Sequence, residues 1–490
     1  MTVRYAEPAG RWVLLATVLG SGMTFLDATV VNIALPRIGE DFGADAASLQ
    51  WTVNGYTLSL ASLILLGGSL GDRYGRRRVF SIGVGLFTVA SALCAVAPNE
   101  EMLIAARLLQ GIGGALLTPG SLALIEASFR PTDRARAIGA WSGLGGVAAA
   151  IGPLVGGYLI GAISWRAIFL INIPLGAFVI WAAARHVPES RDPNASKHLD
   201  LIGSVLTALG LAGTTYALIE APERGASAAI LVAGIGGLAA LVAFLVHERR
   251  TANPMLPLGI FSSRQFSAAN GVTFVVYAAL GGVFFFLVSF LQISMGYTPI
   301  EAGSASLPVT GLMLVFSARA GALAQRIGPR IPLTVGPLVI GLGLAWLSMV
   351  EPGDSYLAGI LPPIVVFGIG LTLVVAPVTA TVLAAADSNH SGIASGVNNA
   401  VARVAGLLAV AVLPVLAGLT GDKFYEAEAM TDGFQIGMMA CAALAVAGGV
   451  LAWFTIDSEV LHEEPGQPEP EPEYSCGVNG PPLLPGREMG

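Results

Sequence analysis

Charge is what this chain has least of. Asp, Glu, Lys and Arg together make up 12% of its 490 residues, about half the share of an ordinary soluble domain. The length would allow three soluble domains, but no polar-surfaced unit can be cut from residues 11–457. Lysine is almost missing, with only Lys197 and Lys423. The three cysteines, Cys94, Cys441 and Cys476, lie in or near apolar runs and in the tail, which argues against a disulfide framework or a metal site. No phosphate-binding glycine loop, His/Cys cluster or large polar domain is present. That excludes a one-chain ATP-driven pump and leaves a membrane enzyme without a catalytic domain. No segment resembles a channel selectivity filter. A cleavable leader is not expected, because the apolar run from Trp12 is span-length and no small-residue cleavage site follows it.

What is there instead is apolar length. Hydrophobic residues make up 54% of the chain and the mean hydropathy is +0.73. Several uncharged windows exceed the roughly 18 residues needed to cross a hydrocarbon core. Hydropathy places spans at 12–34, 49–70, 79–97, 102–124, 136–161, 166–184, 199–219, 228–247, 266–291, 302–321, 332–350, 356–382, 391–419 and 435–456. These must be helices, because a backbone in lipid has no water to bond. With the N-terminus inside, cytoplasmic segments hold 18 of the 25 Lys and Arg, and outer loops only Arg37, Arg166, Arg224 and Lys423. Such a bias sets orientation, with both termini cytoplasmic in a cell (inner) membrane. An odd number of spans would destroy it.

The chain also repeats itself. Gly68-Ser-Leu-Gly-Asp-Arg-Tyr-Gly-Arg-Arg77 returns as Gly321-Ala-Leu-Ala-Gln-Arg-Ile-Gly-Pro-Arg330, five of ten positions being identical at one offset of 253. The copies follow spans 2 and 10, so two extra spans separate two six-helix halves. The expected organisation is a short cytoplasmic N-terminus (1–11), a six-helix bundle (12–184), a linker with two extra spans (185–265), a second bundle (266–457) and a tail (458–490). The Pro-Glu alternation of that tail cannot bury enough apolar surface to fold. Duplicated halves around a midplane site are a common transporter plan.

Four segments carry chemistry. The loop Gly68–Arg78 places Gly71 and Gly75 at a tight turn and an Arg cluster against anionic headgroups, and its Asp72 is placed to cap a helix or to pair an arginine across the halves. Arg76 to Arg78 serve equally well as simple topology signals. Arg107-Leu-Leu-Gln110-Gly-Ile-Gly-Gly114 lies in span 4. In span 5, Gly152-Pro153 removes a backbone donor and Gly156-Gly157 permits close approach, which packing alone would also explain. Leu26-Asp27-Ala-Thr-Val-Val-Asn32-Ile-Ala-Leu-Pro36 lies in span 1. In this order and on these spans, the four resemble the signatures of the major facilitator superfamily, specifically its fourteen-span drug:proton antiporter branch, over residues 10–457. The resemblance implies an all-α integral membrane fold of two pseudo-symmetric bundles plus two helices. It also implies gating by the loop residues Gly68, Asp72, Arg73, Gly75, Arg76 and Arg77. The Gly152, Pro153, Gly156 and Gly157 motif would form a flexible seam between the halves and favour export over uptake.

Asp27 is the most informative residue. At ~1.5 Å per residue it lies ~22 Å in from Trp12, and Arg107 lies ~8 Å in from Met102 on the other side, so both fall at similar depth in a ~30 Å core. A carboxylate and a guanidinium there are costly unless paired or solvated. They read as a protonatable switch, with Arg107 tuning Asp27, or as a static ion pair orienting spans 1 and 4. Arg403 either lines a cavity or bonds backbone carbonyls, and Arg319 snorkels. Glu126, Glu220 and Asp387 stand near span ends, where solvation is expected. Asn32, Trp51, Tyr56, Gln110, Tyr277 and Gln292 join Arg403 as candidates for the substrate cavity, although aromatics in apolar helices often face lipid.

The middles of spans 2–14 contain no carboxylate, which points to neutral, weakly basic or anionic amphiphiles and a low proton stoichiometry. The expectation is a proton-driven exporter of drugs, antibiotics or other small amphiphiles. Its expected partners are substrate, protons and the bilayer, with no cofactor, nucleic acid or ATPase subunit, and it would act as a monomer. A same-fold exporter of an endogenous metabolite or lipid, a symporter, or a non-transport membrane protein are the alternatives.

Overall fold

The computed structural model describes residues 3–193, 198–386 and 391–461. The first half comprises α1 (Pro8–Phe42), α2 (Ala46–Tyr74), α3 (Arg76–Ala95), α4 (Glu100–Ser128), α5 (Pro131–Ala162), α6 (Ala167–Leu170) and α7 (Asn172–His186). A hairpin of α8 (Leu201–Arg224) and α9 (Ala228–Arg250) follows. The second half holds α10 (Arg264–Ile293), α11 (Pro299–Ala305), α12 (Leu307–Ile327), α13 (Arg330–Leu347), α14 (Leu361–Ala384), α15 (Ser391–Leu416) and α16 (Ala427–Thr455). Thirteen helices among the described residues are long and apolar enough to cross a membrane, and α5, with 32 residues, stands where the fifth span is expected. Lys197, Cys476, Asp387 and the tail beyond residue 461 lie outside the described residues.

Local chemistry fixes where helices begin. Asp45 accepts from Ser48 N at the head of α2, and Asn99 from Met102 N at the head of α4, each satisfying an orphan donor of the first turn. Thr298 and Glu301 form a reciprocal capping box at α11. Three expected spans are interrupted, and prolines explain it, because a ring nitrogen cannot bond back to the preceding turn. Pro174 follows the break between α6 and α7, and Pro308 the break between α11 and α12. The span ending in α14 opens with a π-type turn, Tyr356–Ile360, immediately before Pro362 and Pro363.

Alternation gives the molecule an arginine-rich face, carrying the α2–α3 and α12–α13 turns, and a far face opposite. The halves sit side by side. The hairpin is not a free linker: α8 packs into the seam between α2 and α15, with Leu211 among Leu58, Ala61 and Leu407, and Ile219 among Ala47 and Ala411. Helix α9 packs on α8 and leaves Val232, Ile235 and Val242 exposed, the surface expected of a lipid-facing helix. At the arginine-rich end, Asp200 caps α8 and sits 2.8 Å from His247 Nε2 of α9, closing the hairpin. At the far end, Glu220 accepts from Trp51 Nε1 at 3.0 Å, and Glu223 accepts from Gly421 N at 2.7 Å. One hairpin therefore holds both halves. Glu220, expected in solvent, is instead buried, because Trp51 and Arg224, 2.9 Å away, supply its partners.

Candidate functional site

Three structures carry the expected residues: a buried polar network, a cavity and a loop. Helix α1 delivers Asp27 to the interior of the first half, and α4 delivers Arg107 and Gln110, three residues apart and hence on one helical face. Arg107 Nη1 donates to Asp27 Oδ2 at 2.5 Å and to Gln110 Oε1 at 2.6 Å. Gln110 Nε2 donates to Asp27 Oδ1 and to Ser91 Oγ, both at 2.8 Å. Arg107 Nε donates to the Thr52 carbonyl at 3.0 Å, and its guanidinium lies 4.6 Å from the Tyr56 ring. Asn172 completes the chain through Ser91 Oγ. The Asp27 and Arg107 side chains are each only 1% exposed. Such a pair offsets its desolvation only through contacts of this quality, and removing one partner would leave a bare charge at a cost of about 3–5 kcal/mol.

A cavity of about 440 Å³ lies between the halves. Its walls come from α1 (Phe25, Thr29, Asn32), α2 (Asn54, Thr57), α5 (Pro153), α10 (Tyr277, Phe284) and α15 (Asn398, Arg403). Ala28 and Thr29 line it directly, so the Asp27 pair stands one helix-thickness behind the wall. Among the proposed cavity residues, Asn32, Tyr277 and Arg403 line this space. Trp51, Tyr56, Gln110 and Gln292 do not, and each is held elsewhere by a specific partner. Trp51 serves Glu220, Tyr56 underlies Arg107, Gln110 completes the Asp27 network, and Gln292 donates to the Ile33 carbonyl at 3.0 Å. One cavity group, Asn54, escaped the sequence reading, while Asn398 stands out there only as a neighbour of Arg403. Asn54 is fully buried with both amide atoms unpartnered. Asn398 donates to Thr273 Oγ1 at 2.8 Å and Asn270 Oδ1 at 3.2 Å. The available signal was a carboxamide inside an otherwise apolar window.

The halves are tied at the far face. Besides the Gln292 bond, Tyr425 Oη donates to the Ala44 carbonyl at 2.6 Å. Burial pushes this phenol above its usual range, with Asp45 adding to the shift, so it stays a donor at any physiological pH. Helix α5 meets α11 at Gly157, where a Cβ would fall 2.6 Å from Ile300 Cα. Gly156 likewise lies against Val30, Gly152 against Thr29, and Pro153 lines the cavity. Within the span 5 motif, Pro153 and Gly157 therefore touch the other half, while Gly152 and Gly156 pack on α1 of their own. Away from that face, α5 and α12 expose Leu144, Leu314 and Phe316.

The loop differs from expectation in one respect. Asp72 pairs with Arg76 of its own turn, at 2.8 Å, and with no arginine of the other half among the described residues. The Glu189 carboxylate, arriving after α7, instead caps α3 by accepting from Arg77 N at 3.0 Å and Arg78 N at 3.2 Å. Gly75 adopts φ 115° directly over Glu189, a conformation and a space that a side chain cannot share. Arg77 also donates to the Val187 carbonyl. Arg73 lies over the Tyr74 ring, and Gly68 packs loosely beside Pro119.

Comparison with known proteins agrees with this architecture. The Cephamycin export protein CmcT of Amycolatopsis lactamdurans is 35% identical over 483 residues, 95% of this chain and 99% of that one. The Tetracenomycin C resistance and export protein of Streptomyces glaucescens is 35% identical over 442 residues, 89% and 81% of the two chains. Among solved structures, a bacterial homolog to the human lysosomal transporter Spinster, in inward-facing and unoccupied conformation, superposes with a TM-score of 0.65 at 18% identity, covering 93% of this chain and 98% of that one. The Major Facilitator Superfamily profile matches residues 17–410, and the chain belongs to that superfamily of transporters.

Proposed function

We propose that this protein exports small amphiphilic drugs or antibiotics across the cell membrane by alternating access, using protons that move inward. The observation that carries the reading is the sealed Asp27–Arg107 pair one helix behind the cavity wall. Alternating access needs a group whose charge state can be exchanged when the halves rearrange, and a carboxylate at this depth is suited to that task. The arginine-rich face is cytoplasmic, by the distribution of Lys and Arg, and both termini lie there. The far-face ties then correspond to an outward gate that is shut. Substrate enters from the cytoplasm or inner leaflet, the halves rock, and Asp27 is protonated from outside before the protein returns. No cofactor or ATPase subunit enters the cycle, and one chain contains all its parts. The export and resistance functions in the names of the relatives support the direction of transport.

The test uses everted vesicles from an efflux-deficient bacterium expressing this chain, supplied with a panel of fluorescent toxicants. Substrate uptake that depends on an imposed pH gradient is the expected result, together with lowered susceptibility of the cells. Transport indifferent to the gradient, or no change in susceptibility to any compound, would refute the reading. Orientation is checked separately: an external thiol reagent should reach Asn99→Cys and not Arg77→Cys.

A further inference from the structure

The cavity wall is unusual in its charge. Among the described residues lining it, Arg403 alone is charged at physiological pH, and no carboxylate faces it. Its guanidinium has no ion pair or hydrogen bond among the described residues. The other deep guanidinium, Arg107, is satisfied three times over. A bare guanidinium at membrane depth is costly, and such groups persist where they face a water-filled space or meet a ligand. Its position is consistent with that role: it lines the cavity with Tyr277 on the second half.

Across from it, on the first half, the polar equipment is complementary in kind. Asn54 is fully buried, lines the cavity and leaves both its donor and its acceptor unused. Asn32 donates to its own helix at Ala28 and leaves its carbonyl oxygen unpartnered toward the same space. A buried amide with nothing to bond costs free energy, so these groups are arranged for something that fills the cavity. The rest of the wall sets uncharged polar groups, among them Thr29, Thr57 and Asn398, beside the apolar faces of Phe25, Phe284 and Leu280.

We infer that the cavity is an anion-selective amphiphile site, in which Arg403 receives a carboxylate or comparable acidic group and Asn54 and Asn32 bond polar atoms further along the same molecule. The inference rests on the exporter reading for its purpose and narrows the class of substrate. An acid bound in this way spans both halves, since Arg403 belongs to α15 and the two asparagines to α2 and α1. A planar guanidinium fork suits a carboxylate better than an ammonium would. A cation in the same place meets Arg403 with no opposing carboxylate, and is disfavoured.

Three pyrene probes of one skeleton test this: pyrenebutyric acid, its methyl ester and a pyrenyl trimethylammonium salt. Binding to the full-length purified protein in neutral detergent is followed by energy transfer from tryptophan. The wild-type protein should prefer the acid over the ester and over the ammonium. Arg403→Gln should lower affinity for the acid on the order of ten- to a hundred-fold and leave the ester within about twofold. Arg403→Lys, which keeps the charge, should retain part of the preference and shows that loss in the Gln variant is not misfolding. Asn54→Leu should weaken acid and ester alike. Unchanged acid affinity in Arg403→Gln, or a wild-type preference for the ammonium, overturns the inference. Gradient-driven export of the ester by vesicles, without any preference for the acid, overturns it while leaving the exporter reading intact. An Arg403-dependent preference with no export of any probe does the reverse.

Discussion

The two halves share a scaffold and divide the chemistry. Gly75 and Gly328, 253 residues apart, both take positive φ, 115° and 82°, and each lies over the segment that follows the last helix of its own half, at Glu189 and Ser458. Gly83 and Gly336, at the same spacing, mark the close crossing of α3 on α4 and of α13 on α14. The side chains around these points have diverged. Asp72 and Arg76 become Gln325 and Pro329, so the second turn lacks the ion pair of the first. Helix α10, which occupies the place of α1, carries no charge after Arg264. The first half thus buries a neutralised pair, Asp27 with Arg107, while the second contributes a single guanidinium, Arg403, facing the cavity. Steric rules of the backbone outlast duplication, and the chemistry can be given to one half alone.

The sharpest test of that contrast compares the two arginines. Arg107→Leu should destabilise the purified protein by about 3–5 kcal/mol, because it strands Asp27, and adding Asp27→Asn should recover most of the loss. Arg403→Leu should leave the melting temperature unchanged or raise it. Equal losses in the two variants would dissolve the distinction.

Asp27→Asn alone comes next, with its effect on transport rather than folding. The amide imitates the protonated carboxyl permanently, so accumulation driven by a pH gradient should vanish while substrate binding persists. Full gradient-driven transport by this variant would move proton coupling to another carboxylate, with Glu126 and Asp72 the nearest candidates.

The shared scaffold is probed at the paired glycines. Gly75→Ala and Gly328→Ala should each cost about 1–2 kcal/mol, since both force a side chain into the left-handed region. A large cost in only one half would mean that the backbone has diverged as well. The smallest effect is expected at the loop. Asp72→Asn removes an ion pair that is partly exposed, and a fall in transport rate of at most about five-fold, what the ~1 kcal/mol upper bound for such a pair allows, should accompany normal membrane insertion. Gln325→Asn, its counterpart, should change nothing measurable.

Much of this was legible in the sequence, for reasons that can be named. Span length and the Lys and Arg distribution are demands of the bilayer, so they register in every window of the chain. Counting rise per residue along two opposed helices puts Asp27 and Arg107 at matching levels, and the two side chains do pair. What counting cannot supply is helix rotation. Trp51 and Gln292 are amphipathic side chains in apolar windows, and such residues satisfy themselves equally well in a cavity or against a neighbour's carbonyl or carboxylate. Tyr56 and Gln110 point behind the wall for the same reason. Glu220 was read as solvated because its sequence neighbourhood is a helix end, while its partner Trp51 comes from a helix 169 positions away. The breaks at Pro174 and Pro308 follow a local rule that hydropathy averaging smooths over.

Helix α8 fills one of the two grooves that run down the flanks of the molecule, between α2 and α15. The opposite flank, between α5 and α12, has no such inserted helix among the described residues: α5 meets α12 directly and meets α11 at Gly157. The two flanks are therefore held differently, one by a helix wedged between the halves and the other by direct contact of helix on helix.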